Sequence, residues 1–185
     1  MTVRIAVFLT VAMLQLAVLG QMIWRHETTL RQGETYLFRV DPVDPIHLFR
    51  GRYLDLDVTP TTAPFDRPFH ELSDTWVYVP LSTDDEGFAT LGTVSATRPS
   101  DGDYLRARAR WQVEDEIQLE MPFDRYYLRE DLAKPAPGVL RDDRHRMWVE
   151  VKVKDGRAVP SAFLIDGRAV EDVIRESIKQ PMTTP

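Results

Sequence analysis

Two strands can be read directly from Tyr104-Leu-Arg-Ala-Arg-Ala-Arg-Trp-Gln-Val-Glu-Asp-Glu-Ile-Gln-Leu-Glu-Met121. Leu105, Ala107, Ala109 and Trp111 alternate with Arg106, Arg108 and Arg110, and Ile117, Leu119 and Met121 alternate with Glu116, Gln118 and Glu120. A period of two marks a strand with one apolar and one polar face. A turn about Val113 would set Arg110 against Glu116 and Arg106 against Glu120, opposite charges across an antiparallel pair.

The same alternation recurs on both sides of this hairpin. Leu54, Leu56 and Val58 share a face within Tyr53–Val58, and Met147, Val149, Val151 and Val153 share one within Met147–Val153. Shorter strands are expected at Tyr36–Val40, Trp76–Leu81, Phe88–Ala96 and Ala158–Ile165. Asp84-Asp85-Glu86-Gly87, Asp155-Gly156 and Asp166-Gly167 are turn signals. Residues 59–74 read as a Thr- and Pro-rich loop, and residues 170–179 as a short helix. Thirteen prolines and nine glycines in 185 residues favour short strands and turns over long helices. The expected body is therefore mainly β, an antiparallel sandwich or partly open barrel.

Ahead of it, no charged side chain occurs from Ile5 to Trp24. Such a run reaches about 30 Å as a helix, the thickness of a bilayer's hydrocarbon core. A cleaved secretory signal would use Arg4 as its basic start and Val18-Leu19-Gly20 as its cleavage site. A retained anchor is favoured, because the apolar run continues through Met22, Ile23 and Trp24. It then meets Arg25 and His26, an aromatic and basic stop. Ala6, Thr10, Met13, Ala17 and Gly20 also recur at spacings of four and three, and four of them are small. That is the pattern of a helix that packs closely on another membrane helix. The division expected is residues 1–4 as a short cytoplasmic tail and 5–24 as the anchor, its helix running on to 32. Residues 34–169 are then an extracytoplasmic β-domain, and 170–185 a short helix and tail. Gly33 is expected to end the first helix as its C′ residue.

The net charge is −6. No cluster of Lys and Arg stands out, which argues against nucleic acid and against a polybasic lipid-binding surface. With no cysteine there is no disulfide, thiolate ligand or thiol nucleophile. His26, His47, His70 and His145 form no metal-spaced pair. Asp84-Asp85-Glu86 and Asp142-Asp143 lack the alternating spacing of a calcium loop. Ser73, Ser82, Ser95 and Ser100 sit in loops or at strand ends, and Lys134 stands in a Pro-rich loop, so no Ser/Lys nucleophile box is read. No cofactor is expected.

The most distinctive stretch is Asp41-Pro-Val-Asp-Pro-Ile-His-Leu-Phe-Arg-Gly-Arg-Tyr-Leu-Asp-Leu-Asp-Val58. Here the chain resembles the bacterial family of membrane-anchored proteins named for a GDYXXLXY motif. Gly51, Tyr53 and Leu56 match it; Arg52 stands where the family has Asp, and Val58 where it has the final Tyr. Asp41, Pro42, Asp44, Arg50 and the later Tyr126-Tyr127-Leu128-x-Glu130 are also similar. The family has no established activity to transfer. Physically the stretch reads as a junction, with Gly51 permitting a backbone turn and Arg50 able to pair with Asp41 and Asp44. Gly102-Asp-Tyr-Leu105 echoes Gly51-Arg-Tyr-Leu54, too few positions for a repeat.

The expected role is an interaction module for another membrane or envelope protein, held in the cytoplasmic membrane with its domain on the periplasmic side. Asp41, Asp44, Arg50, Gly51, Tyr53, Leu56, Tyr127 and Glu130 are the partner-binding candidates, and Ala6, Thr10, Ala17 and Gly20 the helix-packing ones. Two alternatives remain open at this point. An envelope hydrolase would gather Asp44, Arg50, Tyr53 or Glu130 with a second titratable group in a cleft. A small-ligand binder would use a barrel mouth.

Overall fold

The computed structural model describes residues 2–40, 53–66, 68–133, 136 and 145–179. Among these residues the helix α1 (Thr2–Gln32) precedes twelve short strands. One five-stranded sheet holds, in spatial order, β12 (Arg168–Ala169), β11 (Arg157–Ile165), β10 (Met147–Lys154), β1 (Glu34–Val40) and β3 (Val58–Thr59). The second holds β4 (Thr62–Pro64), β8 (Glu116–Glu120), β7 (Tyr104–Val113), β5 (Trp76–Thr83) and β6 (Ala89–Leu91). A two-stranded ladder joins β2 (Tyr53–Asp55) to β9 (Arg125–Tyr127). Within every ladder the strands run antiparallel.

Parallel bridges at Leu37–Phe88 and Leu105–Gly156 tie one five-stranded sheet to the other. The result is mainly β and partly closed toward a barrel. Its interior is filled by Phe38, Val149, Val151 and Phe163 from the first sheet and Val77, Val79, Leu105 and Ala107 from the second. Side-chain filling leaves a packed core where a ligand-binding barrel would need a cavity. Among the described residues lie the short helices α2 (Phe69–Leu72), α3 (Glu130–Ala133) and α4 (Val170–Lys179). The terminal helix α4 stands where the sequence places it and seats Val170 and Ile174 in the core.

The central hairpin exists, but its register differs from expectation. Glu114 and Asp115 form the turn, with Glu114 at φ 55°. Arg108 faces Glu120, and a bulge at Arg110 shifts the ladder by one residue. Past the bulge the side chains change sides, so Trp111 points outward and is 57% exposed. Arg110 still reaches Glu120 diagonally, and it shares Asp74 with Arg108 at 3.1 and 2.9 Å.

Two prolines mark irregular pairing, and one of them shortens an expected strand. The expected Phe88–Ala96 strand shrinks to Ala89–Leu91. Its ladder partner β5 carries Pro80, which has no N–H to give; Gly92 donates to the Pro80 carbonyl, and pairing resumes only at Tyr78 and Ser95. In β11, Pro160 pairs with Val151 while Ser161 is bulged out. The Ser161 hydroxyl then bonds the Glu150 carboxylate at 2.7 Å. Residues 59–74, read as loop, in fact carry β3's end, β4 and α2. Strands of two or three residues are too short to show a period.

Gly33 follows the last helical residue as expected, but it is absent from the glycines of positive φ. Space is the reason for a glycine there. A Cβ would lie 2.5 Å from the Thr29 carbonyl oxygen and 2.9 Å from that of Val153 in β10. Thr29 is buried, and its hydroxyl donates back to the Arg25 carbonyl at 3.0 Å. Lys152 adds a bond to the Thr35 hydroxyl, and Lys154 one to Gln32 at 3.1 Å. The last turn of α1 is thus locked against β10. Gly33→Ala should push the two apart at a cost of about 1–3 kcal/mol. The check is a lowered thermal midpoint for the full chain in detergent.

Two phenols clamp separate elements. The Tyr36 hydroxyl of β1 donates to Asp103, just before β7, at 3.0 Å, and Tyr126 of β9 donates to Glu171 of α4 at 2.7 Å. Burial first, then the Asp103 carboxylate, pushes the Tyr36 phenol from 10.0 up to about 12. Burial and Glu171 raise Tyr126 as well. The folded state holds these protons more tightly than the unfolded chain. The Tyr36 contribution is therefore complete below pH 10.0 and lost as pH climbs through about 12, and that of Tyr126 is lost at higher pH still. Denaturant midpoints should fall across that window in the wild type. The fall should be shallower in Tyr36→Phe/Tyr126→Phe.

Candidate functional site

The residues singled out by the motif divide into two groups. Asp41, Asp44, Arg50 and Gly51 lie outside the described residues, as do Arg52, His47, Lys134 and Asp142-Asp143. Tyr53, Leu56, Tyr127 and Glu130 are described, and two of them meet.

Tyr53 opens β2 and pairs directly with Tyr127 of β9; Leu54 faces Tyr126, and Asp55 faces Arg125. The Tyr53 and Tyr127 rings lie 5.8 Å apart, within the range of favourable aromatic pairs. Arg125 covers the Tyr53 ring, its guanidinium carbon 4.9 Å from the centroid. It also approaches Asp124 at 3.8 Å and Asp55 at 3.9 Å. A bond with Tyr127 and then the Asp124 charge hold the guanidinium in its charged form. Arg125 was not a candidate from the sequence. Its signal was present in the register, since a strand at Arg125-Tyr-Tyr127 opposite the motif strand places Arg against Asp.

Adjacent residues of β9 face opposite ways. Tyr126 turns inward to Phe163 and Glu171, whereas Tyr127 is 69% exposed. Leu54 and Leu56 enter the core, and the Leu56 N–H donates to the Asp124 carbonyl at 2.8 Å. Val58 is buried too, but it pairs with Val40 of β1 instead. The motif strand therefore turns a corner between Leu56 and Val58, passing from the small ladder to the first sheet. Glu130 is exposed at the head of α3, two residues after buried Leu128. Leu56 is a core residue, so it is not available to a partner.

The outer face of this ladder adjoins α1. A groove of about 300 Å³ is lined by His26 of α1, by Pro122, Asp124, Arg125 and Tyr127, and by Val159 of β11. Tyr127 and Arg125, on the strand paired with the motif strand, thus stand beside the residue that follows Trp24 and Arg25. No property of the linear sequence announces this neighbourhood.

The helix-packing candidates are open. Ala6, Thr10, Met13, Ala17 and Gly20 are all exposed, and nothing lies within 4 Å of a Cβ built on Gly20. The Thr10 hydroxyl bonds the Ala6 carbonyl at 3.0 Å, so it is satisfied inside the helix.

Other titratable groups are engaged in the scaffold. Asp84 accepts the N–H groups of Phe88 and Glu86 and pairs with Arg39, which together lower its pKa. His145 Nδ1 and Asp166 Oδ2 lie 2.6 Å apart, and Asp166 also accepts the Arg146 N–H at 3.0 Å. These bonds, His145 foremost, lower the Asp166 pKa. The pair closes the open ends of β10 and β11. Among the described residues, no group of three or more His, Cys, Asp or Glu is placed to hold a metal ion.

No curated protein and no solved structure matches this chain. A family model does, over residues 15–163, from the middle of the apolar run to the last long strand. With well over half of its length matched and Tyr53 and Tyr127 paired at the heart of the ladder, the chain belongs to the GDYXXLXY family.

Proposed function

We propose that this protein is a membrane-anchored interaction module: α1 stays in the cytoplasmic membrane of a bacterial cell and the β-domain works on the periplasmic side, against another membrane or envelope protein. The observation that carries the reading is the division of α1 into two parts. Its apolar length is uncovered by the domain, while its last turn is locked to β10 through Thr29 and Gly33. A helix long and apolar enough to cross a bilayer is thereby coupled to a folded body without a flexible linker.

Retention of the helix is supported by continuity. The family model begins at residue 15, inside the apolar run. Cleavage after Gly20 would cut α1 in mid-course. The uncovered Ala6, Thr10, Ala17 and Gly20 stripe suits a neighbouring membrane helix at close approach. Exposed Tyr127, backed by Arg125 and Tyr53, suits a second contact at the lipid surface, since aromatic residues and arginine are favoured where interfaces form.

Extraction of the tagged full-length chain in mild detergent tests this. A polytopic membrane protein should co-purify in near-stoichiometric amount. Ala17→Leu/Gly20→Leu should lower its recovery by about tenfold, because the added side chains separate the two backbones. Elution of the wild type alone, unchanged in the variant, sinks the proposal. So does a mature chain that begins at Gln21 by intact mass.

A further inference from the structure

A second groove, about 450 Å³, runs between α1 and the domain and is continuous with the first through His26, Pro122, Ala158 and Val159. One wall is α1 from Val18 and Met22 up to Arg25 and Thr29. The other is Trp76, Arg106 and Arg157. The described lining contains three arginines, one histidine and no carboxylate. Its charge is therefore opposite in sign to the whole chain, which is −6.

The fold builds this cluster from distant residues. The Arg106 N–H donates to the Gly156 carbonyl at 2.9 Å, which seats β7 beside the turn that leads into Arg157. Asp155 and Gly156 both have positive φ, 52° and 76°, the conformation of a tight hairpin turn. A Cβ on Gly156 would meet the Tyr104 ring at 2.6 Å, so only glycine lets the turn approach β7. The Arg106 guanidinium lies over Trp76, 4.8 Å from the ring centroid. Arg25 extends from α1 one residue beyond Trp24. Among the described residues, no ion pair is formed by Arg25, Arg106 or Arg157, whereas Arg31, Arg39, Arg98, Arg108, Arg110, Arg125, Arg129, Arg168 and Arg175 each have a carboxylate.

We infer that this groove binds the headgroup phosphate of an anionic phospholipid from the leaflet that α1 enters. The inference rests on the reading of α1 as a retained anchor and names a ligand for the juxtamembrane face. Polarity along the groove matches such a molecule. Val18 and Met22 supply apolar lining from the α1 turns before Arg25, and Arg25 shares the groove with Arg106 and Arg157. Trp24 and Trp76, 70% and 54% exposed, stand beside them as aromatic residues do at a lipid–water boundary. Guanidinium forks bind phosphate oxygens in pairs, and three without carboxylate partners are free to do so.

The test uses the full-length chain in nanodiscs of phosphatidylglycerol and phosphatidylcholine in equal parts, followed by native mass spectrometry. Phosphatidylglycerol should be retained over phosphatidylcholine. Arg25→Gln/Arg106→Gln/Arg157→Gln should weaken that retention on the order of a hundredfold, and Arg157→Gln alone by about fivefold, at roughly one interfacial charge each. Arg129→Gln/Arg168→Gln/Arg175→Gln, with the same loss of charge outside the groove, should retain the lipid. Inorganic phosphate should leave the lipid bound. Equal retention of both lipids, equal loss in the two triple variants, or displacement by inorganic phosphate would each overturn the inference. Resistance of the wild type to alkaline carbonate extraction reads the anchor separately. If the chain stays in the membrane but shows no lipid preference, the groove assignment alone fails; if it is extracted, the anchor reading fails with it.

Discussion

Everything in this molecule is arranged around one close approach of backbone to backbone. At Gly33 the chain leaves α1 and immediately becomes β1, with the Thr29 carbonyl on one side and β10 on the other. A side chain at that point would fill space already occupied. The absence of one lets a helix of 31 residues, about 46 Å at 1.5 Å per residue, meet the sheet without an intervening loop. Whatever holds the apolar part of α1 therefore also sets the height and orientation of the β-domain. A flexible linker would have separated those two functions.

From that constraint follows the importance of the face beside α1. The two grooves, the Tyr53–Tyr127 ladder and the arginines near Trp76 all lie against the same stretch of helix, from Val18 to Thr29. The family motif owes its place there to its pairing partner. The β2 strand is short, and β9 is what holds it: Arg125 spans Asp55 and the Tyr53 ring, while Tyr126 fastens the far side to α4. The exposed ion pairs around this ladder contribute little individually, at most about 1 kcal/mol. The buried Leu54, Leu56 and Phe163 supply the larger part, as apolar burial does in general.

The sequence was most legible where periodicity ran long enough to count. The alternation in Met147–Lys154 and Tyr104–Ala109 gave strands with the right faces, and the Asp-Gly turns fell where the chain reverses. It misled where one residue changed the count. The bulge at Arg110 turned Trp111 outward, and a turn at Glu114-Asp115 instead of Val113 set Val113 opposite Glu116 and Arg108 opposite Glu120, leaving the ion pair with Glu120 to Arg110. Pro80 interrupted a ladder that composition alone would have continued, whereas the β10–β11 ladder passes Pro160 with a bulge at Ser161. Leu56 read as a partner-binding candidate because it belongs to the motif, yet it is buried, since every second residue from Leu54 to Val58 faces the core. Tyr53 and Tyr127, also candidates, meet in the fold. Both were named from separate segments, and the ladder joined them.

By itself, then, the sequence determined the local properties: an uncharged apolar run, alternating faces, turns, and the family signature at Gly51, Tyr53 and Leu56. Each depends on neighbours within a few residues, which a linear pattern records. Only the tertiary structure decided which distant residues became neighbours. Arg25, Arg106 and Arg157 are separated by scores of positions and form no basic run, so their charges looked dispersed in a chain of net −6. Strand pairing brings the latter two together, and the locked helix end brings the first. Electrostatic character is a property of distance in space, and register sets that distance.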